Sequence, residues 1–225
     1  MGIKIAPCVL DADLTRLRES IAEVEEAGAD VLHVDAADGH FAANLMAGLS
    51  LTRAIAECAT VPVGVHLMIT DPLRYAPAYV DAGAQVVIFH AETVDDLPDA
   101  VNQIKTSGVR VGVALNPDTP PQVLAPVVGR LDCVVVMTVE PGFSGQGFIE
   151  KPCRKIPVLR RTFGSGIDIY VDGGVGPETA PIVVGYGANV LAAASAIFRA
   201  DQPPGKALRR LRRAAERGIM KSSDT

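Results

Sequence analysis

The chain has 225 residues, 48% of them hydrophobic and 21% charged, the balance of an ordinary globular protein with enough apolar side chain to bury a large core. Its 21 Lys and Arg against 26 Asp and Glu leave a formal net charge of −5, which excludes a surface built to neutralise a nucleic-acid backbone. No apolar run reaches the roughly 20 residues of a membrane span and no signal-peptide pattern opens the chain, so a soluble, cytoplasmic protein with no membrane partner is expected.

Short β-branched, apolar runs predict eight strands, which begin about 22–35 residues apart. The first covers 3–9. A helix follows over 13–27, with Leu14, Leu17, Ile21 and Val24 on one face and Gly28 as its stop. Strands come next at 31–35 and 61–68, and Asp71-Pro72 opens a second helix ending at Gly83. Strands at 85–90 and 109–115 precede a helix opened by Pro120-Pro121, and further strands cover 132–138 and 167–171. Gly176-Pro177-Glu178-Thr179 opens a helix that closes near Gly185 or Gly187, before the last strand at 189–193. In the final segment Lys206, Arg209, Arg210, Arg212, Arg213 and Arg217 alternate with Leu208, Leu211 and Ala215 at helical spacing, which reads as the solvated face of an amphipathic helix.

Strand and helix in alternation mean parallel pairing, and eight such units predict a single (β/α)8 barrel domain over 1–225, with a flexible tail at about 219–225. No G-x-G-x-x-G follows the first strand, so a dinucleotide fold lacks its main support. Cys8, Cys58, Cys133 and Cys153 show no zinc-thiolate spacing and are expected to be buried, reduced thiols.

Barrels of this kind react at the C-terminal ends of their strands. His33 and Asp35 end the second strand on the same side, His66 lies at the end of the third, and Asp172 follows the seventh. A single histidine at a strand end is ordinarily a hydrogen-bonded structural residue. Two imidazoles and two carboxylates buried at one mouth are expensive without a compensating cation. They predict one divalent ion per chain, with zinc, iron, manganese and cobalt suited to the mixed nitrogen and oxygen donors. Glycine-rich loops follow the last strands: Gly142 and Gly145 within Glu140 to Gln146, then Gly173-Gly174, then Ala194-Ser195. Their backbone N–H groups suit a phosphate, and no obvious basic residue accompanies them.

Ile5-Ala6-Pro7, His33-Val34-Asp35 with Asp38-Gly39-His40-Phe41, His66-Leu67-Met68, Val136-Met137-Thr138-Val139-Glu140-Pro141-Gly142-Phe143 with Gly145-Gln146, and Val171-Asp172-Gly173-Gly174-Val175 together resemble the ribulose-phosphate 3-epimerase signatures, in order. The resemblance implies that His33, Asp35, His66 and Asp172 ligate the metal and that Asp35 and Asp172 are also the acid/base pair. It further implies that Cys8, His66, Met68, Met137, Gly142, Phe143, Gly145, Gln146, Gly173, Gly174, Ala194 and Ser195 contact a sugar phosphate in a homo-oligomeric enzyme. The implied reaction is the C3 epimerisation of D-ribulose 5-phosphate to D-xylulose 5-phosphate, through an enediolate and without an organic cofactor.

The sequence departs from that family at Cys8, where a serine is expected, and at Ala37, where a site methionine is expected. It departs again at Gly64, Ala42-Ala43 and Ala194. A smaller residue at 37 predicts a larger pocket, which brings a six-carbon ketose phosphate such as allulose 6-phosphate into consideration. A decarboxylase-type phosphate barrel and a non-catalytic paralogue are the competing classes, and the intact two-His, two-Asp set argues against both.

Overall fold

A computed structural model describes residues 2–222 of the chain. Every predicted run forms a strand: β1 (Lys4–Pro7), β2 (Leu32–Asp38), β4 (Val63–Met68), β5 (Val86–His90), β6 (Arg110–Leu115), β7 (Cys133–Met137), β8 (Asp168–Asp172) and β9 (Val190–Ala193). One strand was not predicted. The two-residue β3 (Leu45–Met46) pairs antiparallel with the end of β2, which runs three residues past its predicted bound. The sheet therefore has nine strands among the described residues instead of eight, in the order β1-β9-β8-β7-β6-β5-β4-β2-β3, and all pairings but the last are parallel. The sheet curls until β1 and β2 meet in one isolated parallel bridge, Cys8 to His33.

Helices α1 (Leu17–Glu26), α2 (Leu49–Cys58), α3 (Pro72–Asp81), α4 (Leu97–Lys105), α5 (Lys155–Phe163), α6 (Ala180–Gly185), α7 (Ser195–Phe198) and α8 (Pro204–Ser222) lie between and after the strands. Asp71 caps α3 by accepting from the Arg74 amide, and Asp96 caps α4 through the Asp99 amide. Each satisfies one N–H that has no partner within the helix. Two helical expectations need correcting. Leu14 lies in a 3-10 turn and is 50% exposed, because the Asp13 side chain draws the Thr15 amide into a tight turn before α1 begins. The segment after Pro120 is 3-10 throughout, from Pro121 to Val127, with Pro126 inside it, whose missing N–H removes a rung from any α-helical ladder.

Period-two alternation divides each strand between two cores. Leu32, Val34, Val65, Leu67, Val87, Phe89, Val113, Val134, Ile169 and Leu191 face the helices in one large cluster. Ala6, Val31, Val86, Ile88, Ala114, Val135, Met137, Tyr170 and Val190 fill the concave side of the sheet. His33, Asp35, His66, His90 and Asp172 share the parity of that second set, so the alternation that builds the inner core also delivers the polar residues to its upper end.

In α8 the apolar face is buried through Ala207, Leu208, Leu211, Ala214 and Ala215, while Lys206, Arg209, Arg210, Arg213 and Arg217 are exposed. Arg212 departs from the solvated-face expectation. It is half-buried and donates to Ile3 O at 2.7 Å, Gly28 O at 2.6 Å and Asp30 Oδ2 at 2.6 Å, tying the last helix to both ends of the first β-α unit. Of the tail expected at 219–225, residues 219–222 belong to α8 and 223–225 lie outside the described residues. Cys8, Cys133 and Cys153 are buried free thiols, whereas Cys58 is only half-buried. Among the described residues no helix is long and apolar enough to cross a membrane.

Candidate active site and metal centre

Asp35 on β2 stands level with His66 on β4, and Asp172 ends β8. The curl of the sheet brings these strands together, and the four expected residues converge. His33 Nε2 lies 3.1 Å from Asp35 Oδ1 and 3.3 Å from Asp172 Oδ2. His66 Nδ1 lies 3.1 Å and 3.4 Å from the same two oxygens. One donor atom from each residue falls within 4.8 Å of the other three. Donors about 2.0–2.2 Å from a single ion would sit roughly 2.9–3.6 Å apart in octahedral to tetrahedral geometry, so the four closest separations suit one cation. The donor set fits a divalent metal of borderline softness.

Both imidazoles are fully buried, and the charge balance shows what they lack. Burial pushes His33 down, but Asp35 and Asp172 outweigh it and raise the ring to about 10. His66 is likewise raised against burial by hydrogen bonds to the two aspartates. Burial pushes the Asp35 carboxyl up, yet His33 and His66 hold it below the usual carboxylate range, and Asp172 is lowered by the same two rings despite burial and the charge of Asp35. Two carboxylates facing neutral imidazoles carry two uncompensated negative charges. Protons on the rings or a divalent ion between them restore neutrality. The unshared oxygens, Asp35 Oδ2 and Asp172 Oδ1, accept no hydrogen bond among the described residues, and both aspartates face a cavity of about 560 Å³.

Cys8, Met68, Met137, Gly142, Phe143, Gly145, Gly173, Gly174, Ala194 and Ser195 also line this cavity. Gln146 is not on its wall. Its amide donates to Glu140 O at 2.7 Å and Phe143 O at 2.9 Å, closing the glycine loop on itself. His33 and His66 sit behind Asp35 and Asp172 and do not line the opening. Ala194 has φ −103°, so the methyl there carries no left-handed strain.

The loops are held from behind. Thr138 is fully buried and donates through its hydroxyl to Asp172 O at 3.0 Å and Gly173 O at 2.5 Å, while its amide donates to Asp172 O at 2.8 Å. Asn44 Nδ2 donates to Gly142 O at 2.6 Å. At Gly174 φ is +63°, and a Cβ there would lie 2.8 Å from Phe148 Cα and 2.9 Å from its amide nitrogen. Backbone cannot yield as a flexible side chain can. Gly174→Ala is therefore expected to destabilise the protein by about 1–3 kcal/mol, read as a lower urea midpoint; an unchanged midpoint would mean that the loop relaxes freely.

Four features were not anticipated. Arg199, just after α7, lines the cavity beside Ser195, which corrects the expectation of no basic residue near the glycine loops. Asp11 holds it at 2.7 Å and also accepts from Ser144 at 2.9 Å. Met46 lines the cavity and pairs across the sheet with Ala37, which packs behind the wall against Ala42 and Met68. β3 thus brings a methionine to the cavity wall next to the small residue at 37. His90 ends β5 fully buried, with Nε2 2.9 Å from His66 Nε2. Burial lowers its ring to about 4, so it is neutral. Its neighbour Glu92 lies 3.3 Å from Nδ1; burial raises that carboxyl, but hydrogen bonds from His90, Thr119 and Asn116 bring it down to about 2. His90 and Glu92 were open to discovery by the strand-end rule that found His66, whereas Arg199 and Met46 announce themselves only in space.

The sequence matches the Ribulose-phosphate 3 epimerase family over residues 4–198. The chain belongs to the ribulose-phosphate 3-epimerase family. It is 44% identical over 200 residues to the ribulose-phosphate 3-epimerase of Bacillus subtilis (strain 168), covering 87% of this chain and 92% of that protein. It is 41% identical over 222 residues to the enzyme of that name from Methanocaldococcus jannaschii, covering 97% and 94%. A crystal structure of 3-hexulose-6-phosphate synthase from Salmonella typhimurium superposes with a TM-score of 0.72 over 96% of this chain and 100% of that one, at 18% identity, a likeness of fold alone. The ordered motifs that resemble an epimerase family thus lie inside a match that includes every cavity-lining residue named above except Arg199.

Proposed function

We propose that the chain is a metal-dependent epimerase that interconverts D-ribulose 5-phosphate and D-xylulose 5-phosphate, working in one domain closed as a (β/α)8 barrel. The observation that carries this reading is the pair of aspartates, each sharing one oxygen with the same two imidazoles and each lining the cavity. Inversion at a carbon beside a ketone needs a base on one face and an acid on the other. In one direction an aspartate takes the C3 proton, and the C–H electron pair passes into an enediolate. The partner aspartate then delivers a proton to the opposite face and becomes the base for the reverse reaction. When bound to His33, Asp35, His66 and Asp172, a divalent ion supplies Lewis acidity against the substrate carbonyl and neighbouring hydroxyl.

The phosphate is placed against Gly142, Gly145, Gly174 and Ser195, with Arg199 as an added charge at that end of the cavity. Cys8, Met68, Met137 and Met46 form the less polar walls that limit water around the reacting carbons. Protein purified without chelator should contain one zinc, iron, manganese or cobalt ion per chain and should convert D-ribulose 5-phosphate to D-xylulose 5-phosphate in a coupled assay. With Met46 on the wall, allulose 6-phosphate should be the poorer substrate by kcat/KM. Full conversion by protein stripped of metal, or a preference for the six-carbon sugar, would contradict this assignment.

A further inference from the structure

His90 and Glu92 form a second tier behind the four converging residues, and they have no contact with the cavity. The His90 ring lies between Phe41, at a centroid distance of 4.6 Å, and His66, whose ring meets it end to end with centroids 4.9 Å apart and 17° between the planes. The two Nε2 atoms are 2.9 Å apart, so one must donate and the other accept. The far end of the chain decides which. Glu92 receives the Asn116 amide on Oε1 at 2.9 Å and the Thr119 hydroxyl on the same oxygen, and it presents Oε2 to His90 Nδ1 at 3.3 Å. A carboxylate only accepts. The hydrogen of His90 therefore lies on Nδ1, its Nε2 accepts, and the hydrogen of His66 lies on Nε2. Without a cation, His66 Nδ1 donates to Asp35 Oδ1 and Asp172 Oδ2; once a cation displaces that proton, the lone pair left on His66 is the one at Nδ1, in the space shared with those two oxygens.

We infer that His90 and Glu92 are positioning residues, whose hydrogen-bond chain locks His66 in the one tautomer able to offer Nδ1 to a divalent cation. The inference rests on the metal-centre reading above and extends it to a residue pair outside the ligand set. The ring would otherwise divide itself between tautomers, one of which cannot ligate. Outer partners that orient a metal-bound histidine typically alter affinity by about 10–100-fold when removed.

The test is a Co(II) titration of the metal-stripped full chain against a competing chelator, with the visible absorption of the bound cobalt as a second readout. Glu92→Gln keeps the shape but sets an amide NH2 against either the His90 Nδ1–H or the Asn116 N–H, so one bond of the chain is lost. It should weaken Co(II) binding by about 10–100-fold with the circular dichroism spectrum unchanged. His90→Phe retains an aromatic ring beside Phe41 but not the acceptor and should lose as much, while His90→Gln, whose side-chain oxygen can accept from His66, should recover most of the affinity. In the zinc-loaded wild type, imidazole nitrogen NMR should find the His90 hydrogen on Nδ1. That measurement decides the matter even if His90→Phe fails to fold. Wild-type Co(II) affinity in Glu92→Gln, or a His90 hydrogen on Nε2, would overturn the inference alone; a wild type that binds no Co(II) would overturn the metal centre itself.

Discussion

Asp172→Asn, assayed at saturating divalent metal because the change also weakens a ligand, is expected to lower kcat by at least about 10²–10⁴-fold, the range supplied by a positioned acid or base, with KM for the sugar phosphate changed far less. The amide keeps the volume and the backbone position that Thr138 holds, but it has no lone pair basic enough to take a carbon-bound proton. Asp35→Asn should do the same. Because each aspartate serves one face, the two variants are not equivalent in deuterated water. Whichever base survives can still exchange the C3 proton of the sugar whose hydrogen faces it, without completing inversion. Each variant should therefore label one of D-ribulose 5-phosphate and D-xylulose 5-phosphate and leave the other unlabelled. Epimerisation by either variant within a few-fold of wild type would remove the two-base assignment.

Loss of metal is the other large effect. His66→Ala takes away one of four donors together with the hydrogen-bond partner of His90, and it should reduce metal content to background and activity with it. Chelated wild type should behave alike and recover on adding zinc, iron, manganese or cobalt. The two states should also differ in how stability depends on pH. In the metal-free protein the His33 pKa is raised from 6.5 to about 10 by its two aspartates. A group raised on folding stabilises fully below its unfolded pKa, and that contribution is lost as pH rises through the folded value. Metal-free protein should thus lose thermal stability between about pH 6.5 and 10. The loaded protein should hold or gain stability over that window, since a metal binds the neutral ring and does not compete with protons there. Parallel pH profiles for the two forms would show that the rings and the ion do not share a site.

Much of this arrangement is a local property of the chain. Strand positions follow from β-branched runs, and the inward direction of His33, Asp35 and His66 follows from alternation along single strands, a relation between near neighbours. The glycines at 142, 145, 173 and 174 are visible as glycines wherever the loops go. Even His90 and Glu92 were legible as strand-end residues, though nothing in the residues around them indicates that His90 would meet His66.

What only the tertiary structure decided are the pairings made by strand order and loop path. Lateral neighbours β4 and β5 set His66 against His90, and the loop after β6 closes on Glu92 through Asn116 and Thr119. Arg199 and Asp11 are 188 residues apart and meet because β9 lies beside β1. Met46 reaches the cavity wall because a two-residue strand folds back on β2, a turn too short to leave a periodic signal. Composition and alternation state which side chains face inward; the pairing of β2 with β4 sets His33 and Asp35 beside His66, and only the curl of the sheet brings Asp172 on β8 to them, since β8 is far from both in the strand order.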